Sequence, residues 1–223
     1  MAEGIYLEYK GKKGDVIKYK TIVDSTQTIS EKENKQEVSN KIEILMSQAI
    51  TEADADGNLT VDVVIEDGKT IREGQETALP NVGQKITMKM KKTGEVTYTS
   101  VPIDFSQPSF PEGVKNKKDR WDSVSKINVQ ERAEPIQLNY KYILWDIVKQ
   151  GKYECAEIKV SCPETSVELQ EGVTQTISAT GSTYFAHKEG YLVKSEVETQ
   201  TVIKAPAEDL LINTRIRVNV SLV

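Results

Sequence analysis

The residues with the strongest potential for chemistry include an acidic loop that resembles part of a calcium-binding loop. Residues 52–58 read Glu-Ala-Asp-Ala-Asp-Gly-Asn. The spacing of their oxygen-bearing side chains matches loosely the first positions of a calcium-binding loop. The twelfth position of a calcium loop is a bidentate glutamate, but here it is Val63, and the flanking segments have the pattern of strands. The favoured interpretation is therefore a hairpin turn around Asp56-Gly57.

His187 is the only histidine of the chain and would have to serve any Ser/His/Asp or Cys/His site. It lies in a predicted hairpin turn beside Lys188 and Glu189, where we expect its side chain to be in solvent. No nucleophile motif accompanies it elsewhere in the sequence. The sequence therefore predicts a protein without enzymatic activity.

Cys155 and Cys162 are the only cysteines and lie seven positions apart in one predicted strand. Regular strand geometry places them on opposite faces, which argues against a disulfide between them. Two cysteines and one histidine are too few for a structural zinc site. We expect two small buried thiols and neither a metal nor another cofactor.

Large apolar side chains are concentrated in the second half of the chain. In the segment 136–149 both faces become apolar after Tyr142, because Leu144 alternates with residues such as Trp145. A strand that is buried on both faces either packs in a core or lines a cavity, and the sequence leaves both options open. If there is a hydrophobic ligand site, the residues predicted to line it are Trp121, Tyr142, Leu144 and Trp145.

The elements that must position these residues are long strands, the clearest of which ends the chain. Period-2 alternation over 210–222 predicts a strand with one face buried and the other in water. The predicted buried face consists of Leu210, Ile212, Thr214, Ile216, Val218, Val220 and Leu222, and the other face of Leu211, Asn213, Arg215, Arg217, Asn219 and Ser221. In the preceding segment 191–205, one face is predicted to hold Tyr191, Val193, Ser195, Val197, Thr199, Thr201 and Ile203. A strand of this length spans roughly 50 Å, which predicts a strongly bent or coiled sheet.

About eleven segments of this kind are present, and no segment has an unambiguous helical pattern. Residues 38–54 fit either a helix or a strand, and the neighbouring strands favour a strand. Short helices are most compatible with 38–50, 69–79 or 204–211. The predicted fold is all-β, with a strongly curved antiparallel sheet that forms an open half-barrel.

The chain divides into two halves of similar pattern. Residues 1–104 are predicted to form the first β half, 105–118 a proline-rich connection, and 119–223 the second β half, together one structural unit. The hairpin segments 41–68 and 89–102 have counterparts at 141–162 and 185–198 in the same order, which is the pattern of an internal duplication.

Composition excludes several classes of protein. The 223 residues carry a formal net charge of −5 with interspersed charges, which argues against nucleic-acid binding. No apolar run approaches the roughly 18 residues of a membrane span. The start Met-Ala-Glu-Gly, directly before a predicted strand, is typical of a chain from which a leader has been removed, so we expect an exported protein.

Several segments resemble a known family, namely LPNVGQKITMKMKKTGEVTYTS, FPEGVKNKKDRWDS, YECAEIKVSC and GSTYFAHKEGYLVKSE. They are similar to an uncharacterised bacterial family of exported proteins and lipoproteins, which itself resembles the LolA/LolB-like lipoprotein carriers. The resemblance implies an open half-barrel that binds acyl chains on its concave face. It also implies a periplasmic or cell-surface location, and the sequence leaves open whether a lipid anchor lies upstream of this chain.

Two functions follow as expectations. The first is a cell-envelope protein that binds a lipid or a lipidated partner on the concave face of the sheet. The alternative is a structural or protein-interaction module with a fully packed core and no small ligand.

Overall fold

The computed structural model describes residues 4–101, 108–127 and 135–223. Its regular elements are fourteen strands and one 3-10 turn (Pro206–Glu208). The strands are β1 (Ile5–Tyr6), β2 (Val16–Glu31), β3 (Asn34–Ala53), β4 (Leu59–Arg72), β5 (Gln75–Ala78), β6 (Lys85–Met90), β7 (Val96–Thr99), β8 (Val114–Lys115), β9 (Arg120–Ile127), β10 (Ile136–Gln150), β11 (Tyr153–Gln170), β12 (Val173–Ala186), β13 (Tyr191–Ala205) and β14 (Leu210–Leu222). The predicted all-β class is confirmed, and the ambiguous segment 38–54 lies almost entirely in β3.

Twelve strands form one antiparallel sheet, and β1 pairs separately with β8. The order across the large sheet is β7-β6-β4-β3-β2-β14-β13-β12-β11-β10-β9, and β5 pairs with β4. The sheet is curved and open, and its edges do not close into a barrel. The first and last long strands, β2 and β14, lie side by side at its centre, so strands from both predicted halves belong to one sheet.

The long strands give the sheet two distinct ends. The turns at 54–58, 91–95, 151–152 and 187–190 lie at one end, which we call the closed end. The turns at 32–33, 73–74 and 171–172 lie at the other end together with the 3-10 turn, and we call this the open end.

The main core lies at the closed end, between strands of the two halves. The first half contributes Ile50, Leu59, Val61, Val63, Ile86, Met88 and Met90; the second half contributes Leu144, Ala156, Ile158 and Phe185. Leu7, Tyr9 and Phe110 complete this cluster from outside the large sheet. Because strands far apart in the sheet share one core, the face that carries these residues is the concave one, and we call it the inner face. A smaller cluster toward the open end of the second half comprises Ile136, Leu138, Cys162, Ile177 and Ala179.

Tyr9 fixes the N-terminal segment between the two halves. Its ring packs against Phe110 and Phe185, with centroid distances of 5.6 and 5.1 Å, and its hydroxyl donates a hydrogen bond of 3.0 Å to the carbonyl oxygen of Pro108. Its backbone N–H donates to the carbonyl of Lys92 in the first half. The next residue donates from its backbone N–H to the second half, at the carbonyl of residue 190. The N-terminal segment therefore links the two halves at the closed end.

Gly94 and Gly190, in the two hairpin turns that the sequence pairs with each other, make this link sterically feasible. Both have positive φ, +89° and +83°, a conformation that other residues rarely adopt. A Cβ atom at Gly94 would lie 2.6 Å from the ring of Tyr9, and one at Gly190 would overlap the backbone of Lys10. Glycine at each turn thus lets the N-terminal segment pass directly over it.

A register shift in β13 corrects one predicted face. The pairing with β12 shifts at Tyr184/Phe185, so that Leu192 lies opposite Phe185. The inner face of β13 therefore includes Leu192 in place of the predicted Tyr191 and Val193. From Ser195 to Ile203 the predicted alternation is correct.

The face opposite to the inner face carries the charged residues of the central strands. Glu198 accepts hydrogen bonds of 2.7 Å each from Arg215 and Arg217 of the neighbouring strand. These two guanidinium groups lower the pKa of Glu198 to about 2. Salt bridges such as the one between Lys41 and Glu43 continue this pattern, and the outer face is therefore suited to water.

Both cysteines are free and buried, as predicted. Cys155 is fully shielded from solvent and lies opposite Ala186 in β12. Burial raises the pKa of the Cys155 thiol to about 11 and also raises that of Cys162. Neither thiol is therefore an activated nucleophile.

Candidate hydrophobic binding face

The cross-strand register defines the inner face row by row, because directly opposite residues of an antiparallel pair point to the same side. One row crosses seven strands and comprises Val23, Val218, Val197, Gly181, Val160, Tyr142 and Trp121. It joins two of the predicted ligand-binding residues, Tyr142 and Trp121, to a continuous series of small apolar side chains. This arrangement depends on strands from both ends of the chain.

Charged side chains are excluded from the middle of this face. In strands β2–β4, β6 and β9–β14 of the described chain, the register places acidic or basic residues on the inner side only near strand ends. These are Glu31 and Arg72 at the open end and Lys149 and Glu154 beside the β10–β11 turn. A surface of this extent without charge is suited to apolar or neutral contacts, because an unpaired charge loses its hydration there.

The inner face changes from buried to accessible along the central strands. At the closed end Ile50 and Leu144 are 3% and 1% exposed. Toward the open end, Ile29, Ile212 and Ile203 form a row of directly opposed residues that are only partly buried. Within the described ranges, the backbone neighbours of β2, β13 and β14 are mainly other strands of the sheet and the 3-10 turn.

Three of the predicted ligand-binding residues lie on the inner face. Leu144 belongs to the closed-end core, and Trp121 and Tyr142 pack against that core while remaining partly exposed. The rings of Trp121 and Tyr142 stack with a centroid distance of 5.6 Å and an interplanar angle of 5°. Together they form an aromatic wall at the edge of the inner face.

Trp145 does not lie on the inner face, contrary to the prediction. A β-bulge between Leu144 and Asp146 interrupts the alternation of β10, and the Trp145 side chain is 45% exposed. The ammonium group of Lys118 lies 3.0 Å from the centroid of its ring, a cation–π contact at the protein surface. Regular alternation from the inward-facing Leu144 accounts for the outward position of Trp145, and the bulge places Asp146 on the same outer side, so that Ile147 is the next residue on the inner face.

The aromatic wall offers polar groups as well as apolar surface. The Trp121 Nε1–H group is shielded from solvent and has no hydrogen-bond partner within the described chain. Burial, followed by the neighbouring Tyr140, raises the pKa of Tyr142 to about 12, so its hydroxyl stays neutral and able to donate a hydrogen bond. The Tyr142 hydroxyl is suited to contact a neutral oxygen acceptor, and the Trp121 group becomes available to one when the side chains that shield it move aside.

A polar band crosses the accessible part of the inner face, and the sequence analysis did not identify it. It comprises Ser25, Gln27, Asn40, Thr199, Thr201 and Thr214, which occupy neighbouring rows of β2, β3, β13 and β14. Gln27 donates from its side-chain amide to the Thr214 hydroxyl at 3.3 Å. The alternation of residues 191–205 showed two of the threonines, but no local signal indicates that β2 lies two strands from β13.

The acidic loop forms a hairpin turn, as predicted. One carboxylate oxygen of Asp54 accepts hydrogen bonds from the backbone N–H groups of Asp56 and Asn58, at 2.9 and 2.8 Å. Hydrogen bonding, mainly from the Asn58 side chain, lowers the pKa of Asp54. Among the residues that the structure describes, no group of three or more His, Cys, Asp or Glu side chains is arranged to hold a metal ion.

The prediction that His187 lies in solvent is wrong. The residue is only 8% exposed, and its Nε2 atom lies 3.3 Å from a carboxylate oxygen of Glu154. Its carbonyl oxygen accepts a hydrogen bond of 3.1 Å from the ammonium group of Lys10. These contacts make His187 part of the packing between the β12–β13 turn and the N-terminal segment.

No family model and no curated protein matches the sequence. A solved structure, DynF from the dynemicin biosynthesis pathway of Micromonospora chersina, is similar with a TM-score of 0.28 and 8% sequence identity, over 97% of this chain and 84% of that chain. The described ranges contain no helix that is long and apolar enough to span a membrane.

Proposed function

We propose that this protein binds the acyl chain of a lipid on the accessible part of its inner face, without catalysing a reaction. The observation that carries the proposal is the inner face itself. It lacks charge between the strand ends, continues from the closed-end core, and becomes accessible at Ile29, Ile212 and Ile203.

The energetics favour an apolar ligand over a charged one. Each methylene group that leaves water for an apolar surface contributes about 0.8 kcal/mol, so a long chain gains affinity from area alone. Such binding needs no specific catalytic or chelating residue. In this proposal Trp121 and Tyr142 form one wall of the site, while Leu144 supports that wall from the core.

The resemblance to the LolA/LolB-like carriers supports a role in the cell envelope, and we propose an exported or membrane-anchored location. Fractionation of the source cells, followed by immunodetection, tests this part separately. A signal confined to the cytoplasm would refute the location without affecting the binding proposal.

The binding proposal is tested with a neutral lipophilic dye and a neutral lipid. Nile red fluorescence should rise when the dye is added to the protein, and 1-monopalmitoylglycerol should displace it. Native mass spectrometry of gently purified protein should also reveal a bound species with the mass of a lipid. A bound species with the mass of a protein, or no bound species together with no dye response, would refute the proposal and favour an interaction module.

A matched pair of variants locates the site. Ile212→Glu introduces a charge on the inner face, whereas Leu211→Glu introduces it on the outer face of the same strand, where Leu211 is 40% exposed. We expect Ile212→Glu to weaken binding of the dye at least about tenfold and Leu211→Glu to leave it unchanged. Equal effects of the two variants would place the binding site elsewhere.

A further inference from the structure

The distribution of polar groups on the inner face indicates which kind of lipid fits, and this inference rests on the proposed function. We infer that the ligand is a neutral amphiphile, whose uncharged head group of hydroxyl or amide type lies on the polar band while its acyl chain lies on the apolar rows. An acylglycerol is a ligand of this class.

The first argument is electrostatic. A fatty acid or an anionic phospholipid requires a cation for its carboxylate or phosphate wherever water is excluded. The register places no Lys or Arg on the inner side of β2, β13 or β14, and the arginines of β14 point to the outer face, where Arg215 and Arg217 bind Glu198. An anionic head group over β2, β13 and β14 would therefore have no partner on these strands; the inner-side cation nearest to the band is Arg72, at the end of β4 and opposite Asn40.

The second argument is hydrogen bonding. The polar band supplies hydroxyl groups of Ser25, Thr199, Thr201 and Thr214, which both donate and accept. These groups lie between two apolar rows, one with Ile29, Ile212 and Ile203 and the other with Val23, Val218 and Val197. A ligand that presents only hydrocarbon to this band would leave the hydroxyl groups without partners.

Asn40 provides an independent indication. It lies opposite Ser25 on the inner side of β3, and its side-chain oxygen is shielded from solvent. That oxygen has no hydrogen-bond donor among the residues of the described ranges. Unsatisfied acceptors of this kind are rare in folded proteins, and a hydroxyl or amide donor of the ligand would satisfy it once the side chains that shield the oxygen move aside.

The test compares ligands that share one chain and differ in the head group. Displacement of Nile red is measured with 1-monopalmitoylglycerol, palmitate and methyl palmitate. We expect 1-monopalmitoylglycerol to bind at least about tenfold more tightly than palmitate, because β2, β13 and β14 offer the carboxylate no partner cation. It should also bind roughly fivefold more tightly than methyl palmitate, which cannot donate a hydrogen bond.

Variants assign the preference to the polar band. Thr201→Val and Thr214→Val keep the side-chain shape but remove the hydroxyl group, and each should reduce affinity for 1-monopalmitoylglycerol roughly fivefold without weakening methyl palmitate. Thr28→Val, on the outer side of β2 opposite Asn213, is the matched control and should change neither affinity.

The outcomes separate the two proposals. If none of the three ligands displaces the dye, the proposed function fails. If the ligands bind but palmitate binds as tightly as 1-monopalmitoylglycerol, or if both threonine variants retain the preference, the acyl-binding function stands and the inference of a neutral head group is refuted.

Discussion

Replacing Phe185 by alanine tests the packing that joins the two halves at the closed end. Phe185 is fully buried, and its ring makes edge-to-face contacts with Phe110 and Tyr9 at centroid distances of 4.7 and 5.1 Å. Deleting a buried phenylalanine ring costs about 3–5 kcal/mol. We therefore expect Phe185→Ala to lower the free energy of unfolding by that amount and Phe185→Leu, which retains most of the volume, by about 1 kcal/mol.

A double-mutant cycle then isolates the contact with the N-terminal segment. Urea denaturation followed by circular dichroism is measured for Phe185→Ala, Tyr9→Ala and the double variant. Because the rings touch, the double variant should lose less than the sum of the single losses, by about 0.5–1.5 kcal/mol. Leu211→Ala, at an exposed position of β14, is the control and should change stability by less than about 0.5 kcal/mol.

Two results would refute this reasoning. A loss below about 1 kcal/mol for Phe185→Ala would mean that the ring is not packed in a core. Additive losses for Phe185 and Tyr9 would mean that the N-terminal segment does not lie on the second half as described.

Three further predictions concern buried polar groups, acid stability and thiol reactivity. Thr183→Val removes the partner of the buried Ser195 hydroxyl, 3.0 Å away, and should cost about 1–3 kcal/mol in urea denaturation; adding Ser195→Ala should cost less than the sum of the single changes. The paired arginines lower the pKa of Glu198 from 4.5 to about 2, so its stabilising contribution is present above pH 4.5 and is lost as the pH falls toward 2. Glu198→Gln should therefore flatten the decline of the urea midpoint over this range, and an unchanged slope would contradict the ion pair. Because both thiols are buried, iodoacetamide at neutral pH should label neither Cys155 nor the other cysteine in the folded protein. It should label both cysteines in urea, and mass spectrometry measures the labelling.

The strands and hairpins of this fold are predictable because their signals are local. Alternation over residues 210–222 identifies β14 and both of its faces. The hairpin turns around Gly94 and Gly190 are visible as glycine positions between two strand patterns. Strand length alone indicates that the sheet must curve.

The errors concern the face on which a residue of a strand lies. Trp145 follows the inward-facing Leu144 and therefore lies outward. The bulge after it brings Ile147 to the inner face in place of Asp146. The register shift at Phe185 brings Leu192 there in place of Tyr191. Hydrophobic patterns do not reveal such bulges when the neighbouring positions are also apolar, as they are here. The pattern predicts which residues are apolar but not the face on which each lies.

The candidate site was only partly predictable, because it depends on contacts between distant segments. Trp121 and Tyr142 stand out by residue type, and their pairing follows from two neighbouring strands. The polar band requires β2 to pair with β14, which brings Gln27 to Thr214 from opposite parts of the chain. His187 is buried for the same reason, since the N-terminal segment covers its turn.

The central position of β2 and β14 has a consequence for the order of folding. During synthesis β2 emerges early, but β14, which pairs with one edge of β2, emerges only after β13. That edge of β2 therefore stays unpaired until most of the chain has been made. Contacts of such large sequence separation close slowly, and unpaired edges favour association with other chains. A nascent or truncated chain without β14 would consist of two separate meanders with an additional free edge on each. The completion of β14 is therefore the step at which the chain changes from an aggregation-prone intermediate to a single cooperative unit.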